Sequence, residues 1–270
     1  MTELIIASIM TMMTAATPLM FAATGELICE RSGVLNLGLE GMMLIGAVFG
    51  FAAAAVTGNA TLGLLVAATS GAFAALIFGI LTLNLLSNQV ATGLALTIFG
   101  TGLSALVGVD YVGETIDQIG SIHIPILSDI PIVGRLLFGH DPLVYLAILI
   151  LLGASWFLSR SRWGMVLRAV GDSDVSAHAI GYPVIAIRFA AVTFGGLMAG
   201  LGGGYLSLVY TPLWAENMTA GRGWIALALV VFASWRPARG LFGMRTRNLP
   251  AKLTNVVRAA PLVPRSSFST

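Results

Sequence analysis

Leu62-Gly63-Leu64-Leu65-Val66-Ala67-Ala68-Thr69-Ser70-Gly71-Ala72-Phe73-Ala74-Ala75-Leu76-Ile77-Phe78-Gly79-Ile80-Leu81-Thr82-Leu83-Asn84-Leu85-Leu86 runs without one charged side chain. A helix needs about 20 mostly apolar residues to cross a hydrocarbon layer about 30 Å thick, and this run exceeds that length. Six more stretches meet or approach it: residues 4–23, 37–57, 90–109, 142–159, 189–210 and 224–235, the last continuing toward 242. Membrane-barrel strands would alternate in polarity over about ten residues, and these runs are continuously apolar. The pattern predicts an all-α, polytopic transmembrane helix bundle of about seven spans.

Composition agrees. The 270 residues are 57% hydrophobic and 10% charged, with a mean hydropathy of +0.92, whereas soluble domains carry roughly 25% charged residues. Helices in lipid associate through close backbone approach at small residues, and the chain has 32 glycines. Gly200-Leu201-Gly202-Gly203-Gly204 lacks the final glycine of a G-x-G-x-x-G nucleotide loop and lies inside an apolar run. Its pairs Gly196/Gly200 and Gly200/Gly204 therefore read as a helix-packing stripe.

Charge sets the expected orientation. The connection 110–141 holds five acids (Asp110, Glu114, Asp117, Asp129, Asp141) against Arg135, while 160–188 holds Arg160, Arg162, Arg168 and Arg188 against Asp172 and Asp174. Short loops rich in Lys and Arg stay in the cytoplasm, so the second is expected inside and the first outside. Met1-Thr2-Glu3 leads straight into apolar residues without the basic region of a secretory signal, which predicts a retained first helix. Gly25-Glu26-Leu27-Ile28-Cys29-Glu30-Arg31-Ser32-Gly33 then interrupts two apolar stretches. It is either a cytoplasmic loop or the unwound part of a broken helix near residues 25–40 that lines a cavity.

Enzyme chemistry finds no support. Lys252 is the only lysine and no G-x-x-x-x-G-K-[ST] loop precedes it, so ATP, if used, is hydrolysed by another polypeptide. His123, His140 and His178 lack metal-ligand spacing, Cys29 is the single cysteine, and no nucleotide, metal or other cofactor is expected. Five of the 14 basic residues fall in one terminal tail, which leaves no basic face for nucleic acid. Polar groups inside a span are costly and usually face a cavity or a partner. Asn36, Glu40, Asn84, Asn88, Gln89 and Thr92 are the candidates for a translocation path, although capping or interhelical hydrogen bonds account equally well for Asn84, Asn88 and Gln89. Residues 160–174 form an amphipathic basic stretch between two spans. It is suited to docking on another protein, or it is a solvated loop that only fixes topology.

Four segments carry a family resemblance. Glu30-Arg31-Ser32-Gly33-Val34-Leu35-Asn36-Leu37-Gly38-Leu39-Glu40-Gly41-Met42-Met43, Ser87-Asn88-Gln89-Val90-Ala91-Thr92-Gly93-Leu94-Ala95-Leu96, Trp163-Gly164 through Arg168-Ala169-Val170-Gly171, and Gly221-Arg222-Gly223-Trp224-Ile225-Ala226-Leu227-Ala228 appear in order. Together they resemble the permeases of bacterial ABC importers for nucleosides, simple sugars and branched-chain amino acids. The resemblance implies a permease subunit in the bacterial inner membrane that forms the path for a small polar solute, with nucleosides and simple sugars the nearest branch. It implies that Arg168, Ala169, Val170, Gly171 and Asp172 form a coupling helix for a cytoplasmic ATPase subunit. The loop 110–141 would face an extracytoplasmic substrate-binding protein, and a second permease subunit would complete the pore, all surrounded by membrane lipid.

The likeness covers residues 1–243, a transmembrane permease domain that such permeases extend with further hydrophobic helices. Residues 244–270, with Arg245, Arg247, Lys252, Arg258, Arg265 and three prolines, are expected to be a disordered cytoplasmic tail left by a truncated or frameshifted C-terminus. A secondary transporter or channel, which moves solute in liposomes without an ATPase, and a membrane scaffold, which binds neither ATPase nor binding protein, are the alternatives. The charge rule makes a direct prediction in a Cys29→Ser background. Cysteine at position 121 is expected to react with an impermeant thiol reagent applied outside, and cysteine at 161 only after the membrane is opened; the reverse pattern would invert the topology.

Overall fold

The structure, a computed structural model, describes residues 2–116 and 139–233. Its elements are α1 (Thr2–Arg31), α2 (Leu39–Thr57), α3 (Ala60–Gly79), α4 (Gln89–Gly108), α5 (Pro142–Arg160), α6 (Arg162–Asp172), α7 (Asp174–Ala179), α8 (Val184–Tyr205) and α9 (Arg222–Phe232). The described residues form no strands beyond two isolated bridges, Val112 with Trp214 and Thr115 with Leu213. One π-helical turn prolongs α3 over Ile80–Asn84 and another prolongs α8 over Leu206–Tyr210.

Six segments are long and apolar enough to cross a membrane: Ile6–Arg31, Leu39–Thr57, Ala60–Asn84, Gln89–Tyr111, Pro142–Arg160 and Val184–Tyr210. The seventh apolar stretch is helical over Arg222–Phe232, shorter than a span, and its continuation toward 242 lies outside the described residues. So do the tail 244–270 and most of the connection 110–141.

Local sequence explains where the helices start. Asn59 Oδ1 accepts from the backbone N–H groups of Thr61 and Leu62 at the head of α3, and Asn88 Oδ1 does the same for Val90 and Ala91 on α4. Asp141 Oδ1 caps α5 at Leu143 and Val144, with Pro142 at the first helical position. Each of these oxygens satisfies amides that have no partner within the helix.

α8 is the hub, and its glycines explain why. Gly196, Gly200 and Gly204 lie against α3, where a Cβ added at Gly204 would come within 2.5 Å of Ala67 Cβ and one at Gly196 within 2.5 Å of Gly71 O. Gly203 lies on the backbone of Met43 in α2, and Gly195 on Cys29 Sγ in α1. α3, α1 and α2, in that order, make the most extensive contacts with it. Such spacing brings backbones close enough for dispersion contacts along whole helices, which drives association where water does not.

α2 begins inside the bundle. Gly41 lies against Leu96 and Gly100 of α4, which places the head of α2 about 10 to 16 Å along α4 from its first turn. Gly223 packs on the Glu40 backbone, where an added Cβ would come within 2.7 Å, so α9 also starts at that depth. α9 then passes Leu27 and Ile28 of α1, with Val230 in the same apolar cluster. The described part of α9, about 16 Å long by helical rise, lies on the half of the bundle toward the basic connection.

The interruption predicted at residues 25–33 sits differently. α1 stays helical through Arg31, and the unwound segment is 32–38. Gly33 turns the chain at φ +85°, Asn36 Oδ1 accepts from Gly38 N at 3.0 Å, and Asn36 N donates to Glu26 Oε1 at 3.1 Å. A tertiary partner thus keeps Glu26 in a helix where an isolated carboxylate would favour a loop. Filling a glycine contact is expected to be costly. Gly71→Leu, whose side chain would enter the backbone of Gly200, should destabilise the fold by about 1–3 kcal/mol or more, whereas Gly102→Leu, with open space around it, should be near neutral, as read by thermal unfolding in detergent.

Candidate functional site

Two of the quoted motifs meet at the inner heads of α2 and α9. Glu40 is 5% exposed. Its Oε1 accepts from the Thr219 hydroxyl at 2.5 Å and from Gly221 N at 2.8 Å, and its Oε2 accepts from Gly223 N at 2.6 Å. The carboxylate therefore sits at the N-terminus of α9, where unpaired amides and the helix dipole favour negative charge. The turn that delivers these amides passes through Asn217, Ala220 and Gly221, all with positive φ. Arg222, next in line, donates to Met218 O at 3.0 Å and lies over the Tyr210 ring at 6.0 Å.

A second carboxylate lies beneath this junction. Glu26 is fully buried; one oxygen accepts from Asn36 N, and the other has no hydrogen-bond partner among the described residues. Asn36, also fully buried, donates from Nδ2 to Met42 Sδ at 3.4 Å. Asn36 and Glu40 line one small gap between the heads of α2 and α9. Glu26, Thr219, Gly221 and Gly223 are additions to the sequence-predicted set, and the spacing of Glu26 ten residues before Asn36 gave no sign that they meet.

The other path candidates lie near the start of α4. Asn88 is an exposed cap. Gln89 Oε1 accepts from Leu35 N at 2.9 Å, tying α4 to the unwound segment, and Thr92 and Ser87 share a hydroxyl hydrogen bond at 2.8 Å. Asn84, exposed, closes the π-turn of α3.

α6 presents two distinct faces. Ser161 Oγ caps it at Gly164 N, and Gly164, Leu167 and Val170 are buried against the bundle. Trp163 (68% exposed), Met165 (52%), Ala169 and Asp172 face away from it. Arg168 is half-buried, its Nε donating to Gly164 O at 3.4 Å. Gly171 packs on the end of α1, where a Cβ would meet Arg31 O and come within 3.1 Å of Gly33 N. Of the five residues assigned to coupling, Ala169 and Asp172 face outward, whereas Val170 and Gly171 face inward. Arg188 fastens the same corner, donating to Ser32 O and Val170 O and pairing with Asp174 at 3.7 Å.

The Glu40 junction yields a graded prediction. Glu40→Ala removes two acceptor oxygens and three hydrogen bonds and is expected to destabilise the fold by about 2–4 kcal/mol, since bonds to a charged group contribute about 1.5–3 kcal/mol each and do not add fully. Glu40→Gln retains one carbonyl acceptor and should lose less. Thermal unfolding of the two purified variants against wild type measures the order; equal stabilities would remove the junction from the fold's support.

Comparison with known proteins fits this geometry. A family model described as branched-chain amino acid transport system / permease component matches residues 8–245. The chain is 47% identical over 233 residues to a Haloferax volcanii protein named "Putative glucose ABC transporter permease protein TsgC13", covering 85% of this chain and 71% of that one. It is 33% identical over 251 residues to the nucleoside ABC transporter permease protein NupC of Lactococcus lactis, covering 87% and 79%. A third relative, the guanosine ABC transporter permease protein NupQ of Bacillus subtilis, is 31% identical over 238 residues, covering 84% and 75%. No solved structure matches the chain. With six span-length apolar helices, this is a multi-pass membrane protein, and it belongs to the family of ABC transporter permeases that serves branched-chain amino acids, sugars and nucleosides.

Proposed function

We propose that the chain is the membrane-spanning subunit of an ATP-driven importer, and that it forms the path for a small polar solute of the simple sugar or nucleoside class. The glucose, nucleoside and guanosine named for its relatives support the solute class. ATP hydrolysis resides in a separate subunit that docks on α6. A second permease completes the pore, and an extracytoplasmic binding protein delivers the solute from the acidic side. The membrane is the cytoplasmic membrane, with the connection 160–188 inside.

One observation carries the docking role: α6 is anchored by Gly164, Leu167 and Val170 while Trp163, Met165 and Ala169 stand exposed beside Asp172. A helix that only fixed topology would not need large apolar groups on its outward face. Docking through α6 places Arg168 and Ala169 at the interface and leaves Val170 and Gly171 to hold the helix in position. Asn36 and Glu40 shape the path at mid-depth by fixing the heads of α2 and α9; Asn88, Gln89 and Thr92 line its basic end.

Ala169→Trp and Arg168→Glu are therefore expected to reduce co-purification of the ATPase subunit and ATP-dependent uptake at least tenfold, with unfolding temperature unchanged. Interface anchors contribute about 2 kcal/mol or more, which sets that scale. Gly171→Trp should instead lower stability, because it displaces the end of α1. Normal ATPase association in both outward variants would refute docking through α6.

A further inference from the structure

On the outer side of the bundle, α5 and α8 diverge and leave a groove of about 400 Å³. Ile28 of α1, Gly153 and Phe157 of α5, Leu167 of α6 and Ala190 and Phe194 of α8 line it, and its surface is almost wholly apolar. Gly153 leaves room at its centre, since a Cβ there would meet nothing within 4 Å. Three of the four helices are span-length, so the groove lies at hydrocarbon depth.

The end of the groove differs from its middle. Gly153, Phe157 and Arg160 fall at i, i+4 and i+7 of α5, one stripe of the helix. The arginine thus stands at the mouth of the groove about 10 Å from Gly153 by helical rise. Arg160 is exposed and has no ion pair among the described residues. Trp156, 64% exposed, flanks the same level, where amphipathic rings prefer the membrane interface. An apolar slot below a cation and an interfacial tryptophan complements one chemistry: an acyl chain attached to an anionic headgroup.

We propose that the groove binds an anionic phospholipid of the cytoplasmic leaflet, with one acyl chain along Gly153 and Phe157 and its phosphate at Arg160. Leu167 forms part of the groove wall, so the bound lipid also supports the inner face of α6, the helix assigned above to ATPase docking. The inference rests on the orientation that places the basic end in the cytoplasm. Its test uses no ATPase or solute, so its failure leaves the transport reading standing.

The test is lipid retention by the purified full chain, exchanged into detergent containing equal phosphatidylglycerol and phosphatidylcholine and weighed by native mass spectrometry. Wild type is expected to retain one phosphatidylglycerol in preference to phosphatidylcholine. Gly153→Leu, which fills the slot, and Arg160→Gln, which removes the cation, should each lower that retention about fivefold, the scale of one arginine beside an anionic headgroup. Gly102→Leu, an equally open glycine on α4, should retain lipid as wild type does. Arg160→Gln alters only an exposed side chain, so it decides the question even if Gly153→Leu fails to fold. Equal retention in Arg160→Gln and wild type, or no headgroup preference, would overturn the proposal. So would a cysteine at position 153 that crosslinks two copies of the chain, because the slot would then be a protein interface.

Discussion

Backbone contact along α8 governs the rest of the bundle. Glycines on three sides let α1, α2 and α3 approach it at separations that no side chain would permit. Once those separations are fixed, Gly41 and Gly100 set α4 against α2, and the heads of α2 and α9 fall at the same depth. The polar junction at Glu40 follows from that geometry, because a helix that starts inside the bundle exposes amides away from water. Such amides need an acceptor. A carboxylate from the neighbouring helix head supplies two oxygens at once.

The two unwound segments, 32–38 and 211–221, do related work from opposite ends. One climbs from the basic end of α1 to the head of α2, fastened by Glu26, Gln89 and the Asn36 side chain. The other descends from the end of α8 to the head of α9 and is fastened by Glu40. Irregular backbone at this depth persists only where protein groups satisfy it, and here the fastening residues come from distant parts of the chain. The consequence is positional: the middle of the bundle carries helix ends and their buried polar groups, while longer helices surround them.

Much of this was legible in the sequence. Uncharged runs such as 62–86 were long enough to demand helices, and the contrast between the connections 110–141 and 160–188 marked two chemically different ends. The interruption near residues 25–40 was visible as a cluster of charges, and the unwound residues, 32–38, fall within that range just beyond the charges themselves. Glu26, Glu30 and Arg31 belong to α1, and the bond from Asn36 N that holds Glu26 there is one that local charge density does not reveal. The seventh stretch is helical over Arg222–Phe232, and its continuation toward 242 lies outside the described residues. Only the contact between Gly223 and Glu40 shows that α9 starts halfway. Likewise Gly171, small and beside Arg168, looked like an outward docking position, while its backbone is pressed against Arg31 and Gly33.

The Glu40 junction also bears on the order of assembly. Its partners Thr219, Gly221 and Gly223 lie 179 to 183 residues further along the chain, so α2 enters the membrane long before its acidic head can be satisfied by protein. A charged group in that position costs of order 2.5–3.5 kcal/mol on insertion scales, and the apolar remainder of α2 must offset it. Satisfying Glu40 is therefore a late maturation step, and the nascent chain must hold a partly open intermediate until residues 219–223 have been made.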